Sequence, residues 1–367
     1  MKNNIIINSY NVDKTHHSVI ACDKEKQLLY LLQGHNICPE ILDCNGNNIV
    51  ISLIKGNTLS EIIDSNNNLT DIFEKVADFI TQFNSLTNNI VLDDINLKNF
   101  ILSENRIYGI DFEKWHYGDN SDNYAAAMAM IKMARFETGQ DKDNLCRHIE
   151  KYITEKAGYE KIAFRKAVDI FIEKTALRRK AMKKIRQCDC VIIAGGKSSR
   201  MGSPKGLLDY NGYTFIDHII YNTAVFDIQY ISANDNAYSR FGCELIEDKI
   251  KDIGPLGAIY SALDRCEKEY VFFVPCDMPF VREESIFKLF DEMDTGADAV
   301  IFSAGGRVFP TVGIYRKNVF TQVHKQIESG NYKLMELLNN INTQYVEAKY
   351  PQQFRNINTP QDYNNIK

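Results

Sequence analysis

From Cys190 onward, apolar runs of strand length (Cys190–Ala194, Asp227–Ser232, Tyr270–Val274, Asp298–Phe302) alternate with helical segments and glycine-rich turns. Few folds accept that alternation. Each helix has to carry the chain back to the start of a neighbouring strand, which builds an α/β domain around a mostly parallel sheet. Upstream, residues 70–187 read mainly as helix, for example Asp71–Asn84, Asn123–Thr138 and Ala163–Gln187. In the last of these Phe164, Ala167, Val168 and Phe171 share one face at helical spacing. The texture changes near Gln187, so two domains are expected, 1–187 and 188–367. A chain of 367 residues is long for a single core.

With 44% hydrophobic and 25% charged residues the composition is that of a soluble globular protein. A net charge of −5 gives no overall footprint for nucleic acid. The run Ala163–Gln187 carries nine Lys/Arg against two acids. It reads as a solvated linker face before an anion-binding one. The nine cysteines are scattered without a C-x-x-C pair, which argues against a disulfide framework or zinc site and for a reducing compartment. Cys188 and Cys190 lead into an apolar strand and read as structural. The N-terminus lacks a signal-like apolar region, and no stretch approaches the roughly 20 apolar residues of a membrane span. A cytoplasmic, membrane-free protein is expected.

The motif richest in chemistry is Ala194-Gly195-Gly196-Lys197-Ser198-Ser199-Arg200-Met201-Gly202-Ser203-Pro204-Lys205, directly after the strand run Cys190–Ile193. Glycines let backbone approach a ligand closely. Successive N–H groups can then form an anion-binding nest, and Lys197, Arg200 and Lys205 add charge-assisted contacts to phosphates. The string is neither a Walker A loop, which needs glycine where Val191 stands, nor a G-x-G-x-x-G dinucleotide fingerprint. A second motif is Tyr270–Val274 followed by Pro275-Cys276-Asp277-Met278-Pro279. A continuous apolar run marks a central strand, and Asp277 falls just past its carboxyl end, where open α/β sheets bind ligands. Asp277 suits Mg²⁺ against nucleotide phosphates; the plainer alternative is an Asp capping a turn. Gly254-Pro255 starts a helix with Pro255 at its first position. Asp248 adds a carboxylate where the strand ending Ile246-Glu247 closes.

These elements, in this order, resemble the molybdenum cofactor guanylyltransferase family from Val191 to the C-terminus. The likeness takes in Phe309-Pro310-Thr311 at a strand start and Phe354-Arg355-Asn356-Ile357-Asn358-Thr359-Pro360-Gln361-Asp362, which reads as a helix start with Thr359 as N-cap. The resemblance implies a Rossmann-like, mostly parallel fold of the nucleotide-diphospho-sugar transferase type. It also implies transfer of GMP from GTP to the phosphate of molybdenum-bearing molybdopterin, with release of pyrophosphate. By that likeness Ile193, Ala194, Gly195, Gly196, Lys205, Asn234 and Asp248 would bind GTP, and Asp277 would bind Mg²⁺; Lys205 and Asp277 would carry catalysis. Molybdoenzyme maturation proteins are possible partners. Two positions depart from the family pattern. The loop before Lys205 is one residue short, with Pro204 in place of a common Asp, and Phe309 replaces a common His. A cytidylyltransferase of the same fold is the alternative.

In the N-terminal half, Asp94 and Asn99 are spaced D-x-x-x-x-N, and Asp111-Phe112-Glu113 follows after a short hairpin. This resembles the catalytic loop and metal-binding turn of kinase-like phosphotransferases, the branch of aminoglycoside and small-molecule kinases. The likeness implies an α+β kinase-like domain with a reduced small lobe that takes ATP. Asp94 would position the acceptor hydroxyl, and Asn99 and Asp111 would hold Mg²⁺. Glu25 would be the helix glutamate, with Lys14 a poor candidate for its lysine partner. The first glycine is Gly34, so no glycine-rich phosphate lid precedes it, and Leu92-Asp93 replaces the usual His. A regulatory or docking module without turnover is the alternative. His16-His17 reads as structural, since adjacent residues on an extended segment point opposite ways.

Overall fold

The computed structural model describes residues 3–64, 68–135, 141–195 and 204–366. They form two compact units, Asn3–Ala176 and a second beginning at Leu177. The first opens with a four-stranded antiparallel sheet in the spatial order Asn4–Ile7, Asn11–Thr15, Asn48–Ser52, Ile41–Asn45. Between its second and third strands in the chain runs the helix Val19–Leu32. Ser18 starts it by accepting a hydrogen bond from the Ala21 N–H, which satisfies one of the unpaired amides of the first turn. Leu28, Leu29 and Leu32 are buried on its inner face.

The rest of this unit is mainly helical. Helix Leu69–Thr87 buries Leu69, Ile72, Phe73, Val76, Ile80 and Phe83, a stripe repeating every three to four residues that must face a core. Helix Ser121–Met133 is buried along nearly its whole length from Asn123 to Ile131. Its small alanines allow close approach on all sides. Short pairings complete the unit, among them Asn57–Thr58 beside Phe100–Ser103. Phe100–Ser103 pairs with Arg106–Gly109 as a hairpin, and Ile90–Leu92 pairs with Trp115–Tyr117.

The second unit is built on a seven-stranded sheet in the order Glu244–Ile246, Gln229–Ser232, Cys188–Ile193, Tyr270–Pro275, Arg307–Arg316, Ala299–Ala304, Thr343–Glu347. The first four strands are mutually parallel; Arg307–Arg316 runs antiparallel to both of its neighbours. Alternation along the central strands feeds two cores. Cys190, Ile192, Phe272 and Val274 enter one, and Val191, Ile193, Val271 and Phe273 the other, as expected where helices cover both faces.

Helix Lys161–Ile185 serves both units. Phe164 and Val168 are buried in the N-terminal core, and Ala181 and Ile185 in the C-terminal one. Among the described residues no helix is long and apolar enough to cross a membrane.

Candidate active sites

The C-terminal sheet reverses its direction of growth beside the strand Cys188–Ile193. The chain passes from that strand to Gln229–Ser232 and Glu244–Ile246 on one side, then returns to Tyr270–Pro275 on the other. A crevice opens beyond the carboxyl ends of strands at such a switch point. Both sequence motifs lead into it. Ala194 and Gly195 leave one strand, Cys276 and Asp277 leave its parallel neighbour, and the Cys276 N–H donates to the Ile193 carbonyl at 2.8 Å. Gly196, Lys197 and Arg200 lie outside the described residues.

Asn234 and Asp248 follow the next two strands. The Asn234 amide donates to Asp248 Oδ2, and the Asp248 N–H donates to Asn234 Oδ1, each at 2.9 Å. A Cβ on Gly195 would stand 3.8 Å from Asp248 Oδ2, so the loop backbone passes close to this pair. Asp248 Oδ1 is buried with no hydrogen-bond partner among the described residues. Burial pushes its carboxyl above the usual range, against the pull of Asn234 and Lys251. An acceptor in that state suits a ligand donor.

Lys205 Nζ stands 3.5 Å from Asp277 Oδ2 and donates to Asn358 Oδ1 at 2.6 Å. Burial pushes the Asp277 carboxyl up, and the positive charges of Lys205 and Arg307 only partly offset it. The C-terminal segment is fastened here as well, because the Ile357 N–H donates to the Asp277 carbonyl at 2.8 Å. The expected capping box is present, and Asp362 accepts from the Asn358 and Thr359 N–H groups as well as the Thr359 hydroxyl. Its effect is to hold Asn358 against Lys205. Two residues thus join the site that motif reading passed over. Asn358 was legible only as part of a helix start, and Arg307 only as a cation two places before Phe309. Phe309 itself is core: 5% exposed, with its ring 5.3 Å from that of Phe354 and the Arg307 guanidinium 5.0 Å from its centroid.

The N-terminal unit gathers a second constellation. Lys14 Nζ lies 2.8 Å from Glu25 Oε2, 3.5 Å from Glu113 Oε2, and in contact with Asp111 Oδ1. Lys14 and Glu25 are 5% and 2% exposed. The lysine that seemed a poor partner is therefore the one that pairs with Glu25, because strand Asn11–Thr15 presents it directly to the helix. Burial opposes both charges, but the attraction wins. Glu25 is held below the ordinary carboxylate range by Lys14 and His16, and Lys14 is raised by Glu25, Asp111 and Glu113. Asp111 has φ +66°, a left-handed conformation uncommon outside glycine and frequent at functional sites.

Asp94, Asn99, Asp111 and Lys114 line one cavity. The Asn99 side chain donates to the Asp94 carbonyl at 2.9 Å, and the Ile110 N–H donates to the Asn99 carbonyl at 2.9 Å, which ties the D-x-x-x-x-N turn to the hairpin before Asp111. Ligand atoms of His16, Glu25 and Glu113 all lie within 4.8 Å of one another. The Lys14 ammonium already sits against both carboxylates, so the group reads as an ion-pair network rather than a cation site.

Residues 190–346 match the family described as the MobA-like NTP transferase domain. Over 188 residues the chain is 34% identical to a probable molybdenum cofactor guanylyltransferase of Geobacillus sp. (strain WCH70), covering 48% of this chain and 96% of that protein. It is 32% identical over 182 residues to a molybdenum cofactor guanylyltransferase of Vibrio parahaemolyticus, covering 48% and 93%. Among solved structures, the molybdopterin-guanine dinucleotide biosynthesis protein A of Archaeoglobus fulgidus aligns with a TM-score of 0.44 at 24% identity, over 48% of this chain and 96% of that one. Through its C-terminal half, a nucleotidyltransferase domain, the chain belongs to the molybdenum cofactor guanylyltransferase family.

Proposed function

We propose that the C-terminal half transfers GMP from GTP to the phosphate of molybdenum-bearing molybdopterin, releasing pyrophosphate. One observation carries the reading: Asp277 with Lys205 beside it, and the Ala194–Gly195 backbone, leave adjacent parallel strands at the sheet's switch point. A triphosphate and a phosphate monoester repel each other, so the reaction needs neutralisation and in-line positioning more than a protein nucleophile. Lys205 supplies positive charge to the departing pyrophosphate, and Asn358 fixes its Nζ. The Asn234–Asp248 pair offers a buried acceptor on the nucleotide side. A magnesium ion fits Asp277, whose half-buried carboxylate keeps an unfavourable charge that Lys205 and Arg307 offset only in part. Bound there, the ion would neutralise charge at the α-phosphate. The test is pyrophosphate release with molybdopterin as acceptor, using GTP and then CTP. Turnover is expected with GTP; turnover with CTP alone would move the chain to the cytidylyltransferase reading.

For the N-terminal half we propose a kinase-like phosphotransferase site that takes ATP. The Lys14–Glu25 pair at 2.8 Å, together with left-handed Asp111, supports it. Lys14 would draw the nucleotide phosphates, Asn99 and Asp111 would hold Mg²⁺, and Asp94 would orient the acceptor hydroxyl. Isothermal titration of the full chain with Mg-ATP is expected to evolve heat that Asp111→Ala loses. Equal heat from both proteins would argue for a docking module instead.

A further inference from the structure

His16 lies one step beyond the strand Asn11–Thr15, and its N–H still donates across the sheet to the Asn47 carbonyl at 2.8 Å. Side chains two apart on a strand point to the same face, so His16 and Lys14 both face the helix Val19–Leu32. Both reach the same atom. His16 Nε2 contacts Glu25 Oε2, the oxygen that stands 2.8 Å from Lys14 Nζ. His16 is 3% exposed. The titratable groups facing it are Lys14 on its own strand, Cys22 and Glu25 on the helix, and Glu113, whose Oε2 is 3.8 Å away.

Resting on the phosphotransferase reading of this site, we propose that His16 is a positioning residue. As an imidazolium it donates to Glu25 and holds that carboxylate in place, so that Lys14 is aimed toward Asp111 and the nucleotide phosphates. The charge count calls for it. Lys14 faces three carboxylates, Glu25, Asp111 and Glu113, and a second buried cation leaves more of its charge for phosphate. Burial works against an imidazolium here and the Lys14 charge adds to that, yet the hydrogen bond to Glu25, the Glu25 charge and the nearby Cys22 outweigh them and push the ring up to about 9. The helix itself has separate anchors. Lys24 Nζ donates to the Trp115 carbonyl at 2.6 Å, and Trp115 Nε1 donates to the Lys24 carbonyl at 3.1 Å. Removing His16 therefore leaves the helix in place and acts on the carboxylate.

Two measurements on the full chain test this. In histidine-labelled protein, the imidazole signal lost in His16→Leu should stay protonated up to about pH 9 and should fall toward the ordinary value in Glu25→Gln. A neutral His16 at pH 7 overturns the proposal. In titrations with Mg-ATP, His16→Leu should weaken binding about tenfold, whereas His16→Gln, which keeps a donor, should stay within about threefold of wild type. Equal loss in both variants, or none in either, also overturns it. Should wild type evolve no heat with Mg-ATP, the phosphotransferase reading fails on its own, and the imidazole titration still decides whether His16 holds Glu25.

Discussion

Asp277 is held in a conformationally secure but electrostatically unfavourable place. Burial raises its pKa despite Lys205 and Arg307, so the folded state binds a proton there more tightly than the unfolded chain does. By linkage this carboxylate costs stability as pH rises through its folded pKa, and acidification relieves that cost. The proposed metal role runs the other way, since only the ionised form suits a cation. Asp277→Asn should therefore lower transfer at least about hundredfold while leaving the melting temperature unchanged or higher. Activity and calorimetry on one preparation check both halves; a variant that melts well below wild type would mean Asp277 is structural. Wild-type transfer should also decline on acidification before an ordinary aspartate would titrate. Lys14 poses the opposite case. It compensates buried Glu25, so Lys14→Met should destabilise the N-terminal unit by roughly 3–5 kcal/mol, read as a shift in the denaturant midpoint. The contribution of Glu25, whose pKa is lowered, is complete above its ordinary value of 4.5 and fades as pH falls below that.

At the scale of elements, the turn Lys205–Leu207 decides where Lys205 points. A Cβ on Gly206 would meet Ile216 Cγ1 and Tyr238 Cε1, each at 2.9 Å, both from buried side chains. Gly206→Ala must push the turn outward, at a cost of about 1–3 kcal/mol, and loosen Lys205 from Asp277 and Asn358. Transfer should fall about tenfold, with the larger effect on kcat; an alanine variant with wild-type kinetics would show that the lysine's position is not set by this packing. Nothing in the motif string marks Gly206, because its reason is a contact with residues distant in the chain. Most strands of the C-terminal sheet were legible for the opposite reason. Runs such as Tyr270–Val274 are buried on both faces and need no partner to be recognised. Arg307–Arg316 was visible only at its Phe-Pro-Thr start, and its antiparallel direction comes from tertiary pairing. In the N-terminal unit, the spacing of Asp94, Asn99 and Asp111 could be read, whereas the Lys14–Glu25 pair could not. No glycine-rich segment precedes Lys14 to frame it, and a short strand carries too little pattern to identify its one buried charge.

On the scale of the whole molecule, the change in sequence texture at Cys188 and the division of the packed units at Leu177 fall at different places, and the difference has a physical content. Helix Lys161–Ile185 ends inside the C-terminal core. Ala181 and Ile185 are 0% and 1% exposed, Leu177 and Met182 pack against the same cluster, and Lys184 Nζ donates to the Met293 carbonyl at 2.6 Å. Polar, strongly basic composition hides this, because only one stripe of the helix is apolar. A fragment starting at Cys188 would uncover that stripe's seat, losing about 3–5 kcal/mol of apolar burial, whereas one starting at Leu177 keeps it. At about 2–4 °C per kcal/mol for a domain of this size, the longer fragment should melt roughly 10 °C higher. Since the match to the Geobacillus relative spans 96% of that protein, the longer fragment should also retain pyrophosphate release with GTP. Equal melting temperatures for the two fragments would mean that the last two turns of the helix contribute nothing to the fold they are packed in.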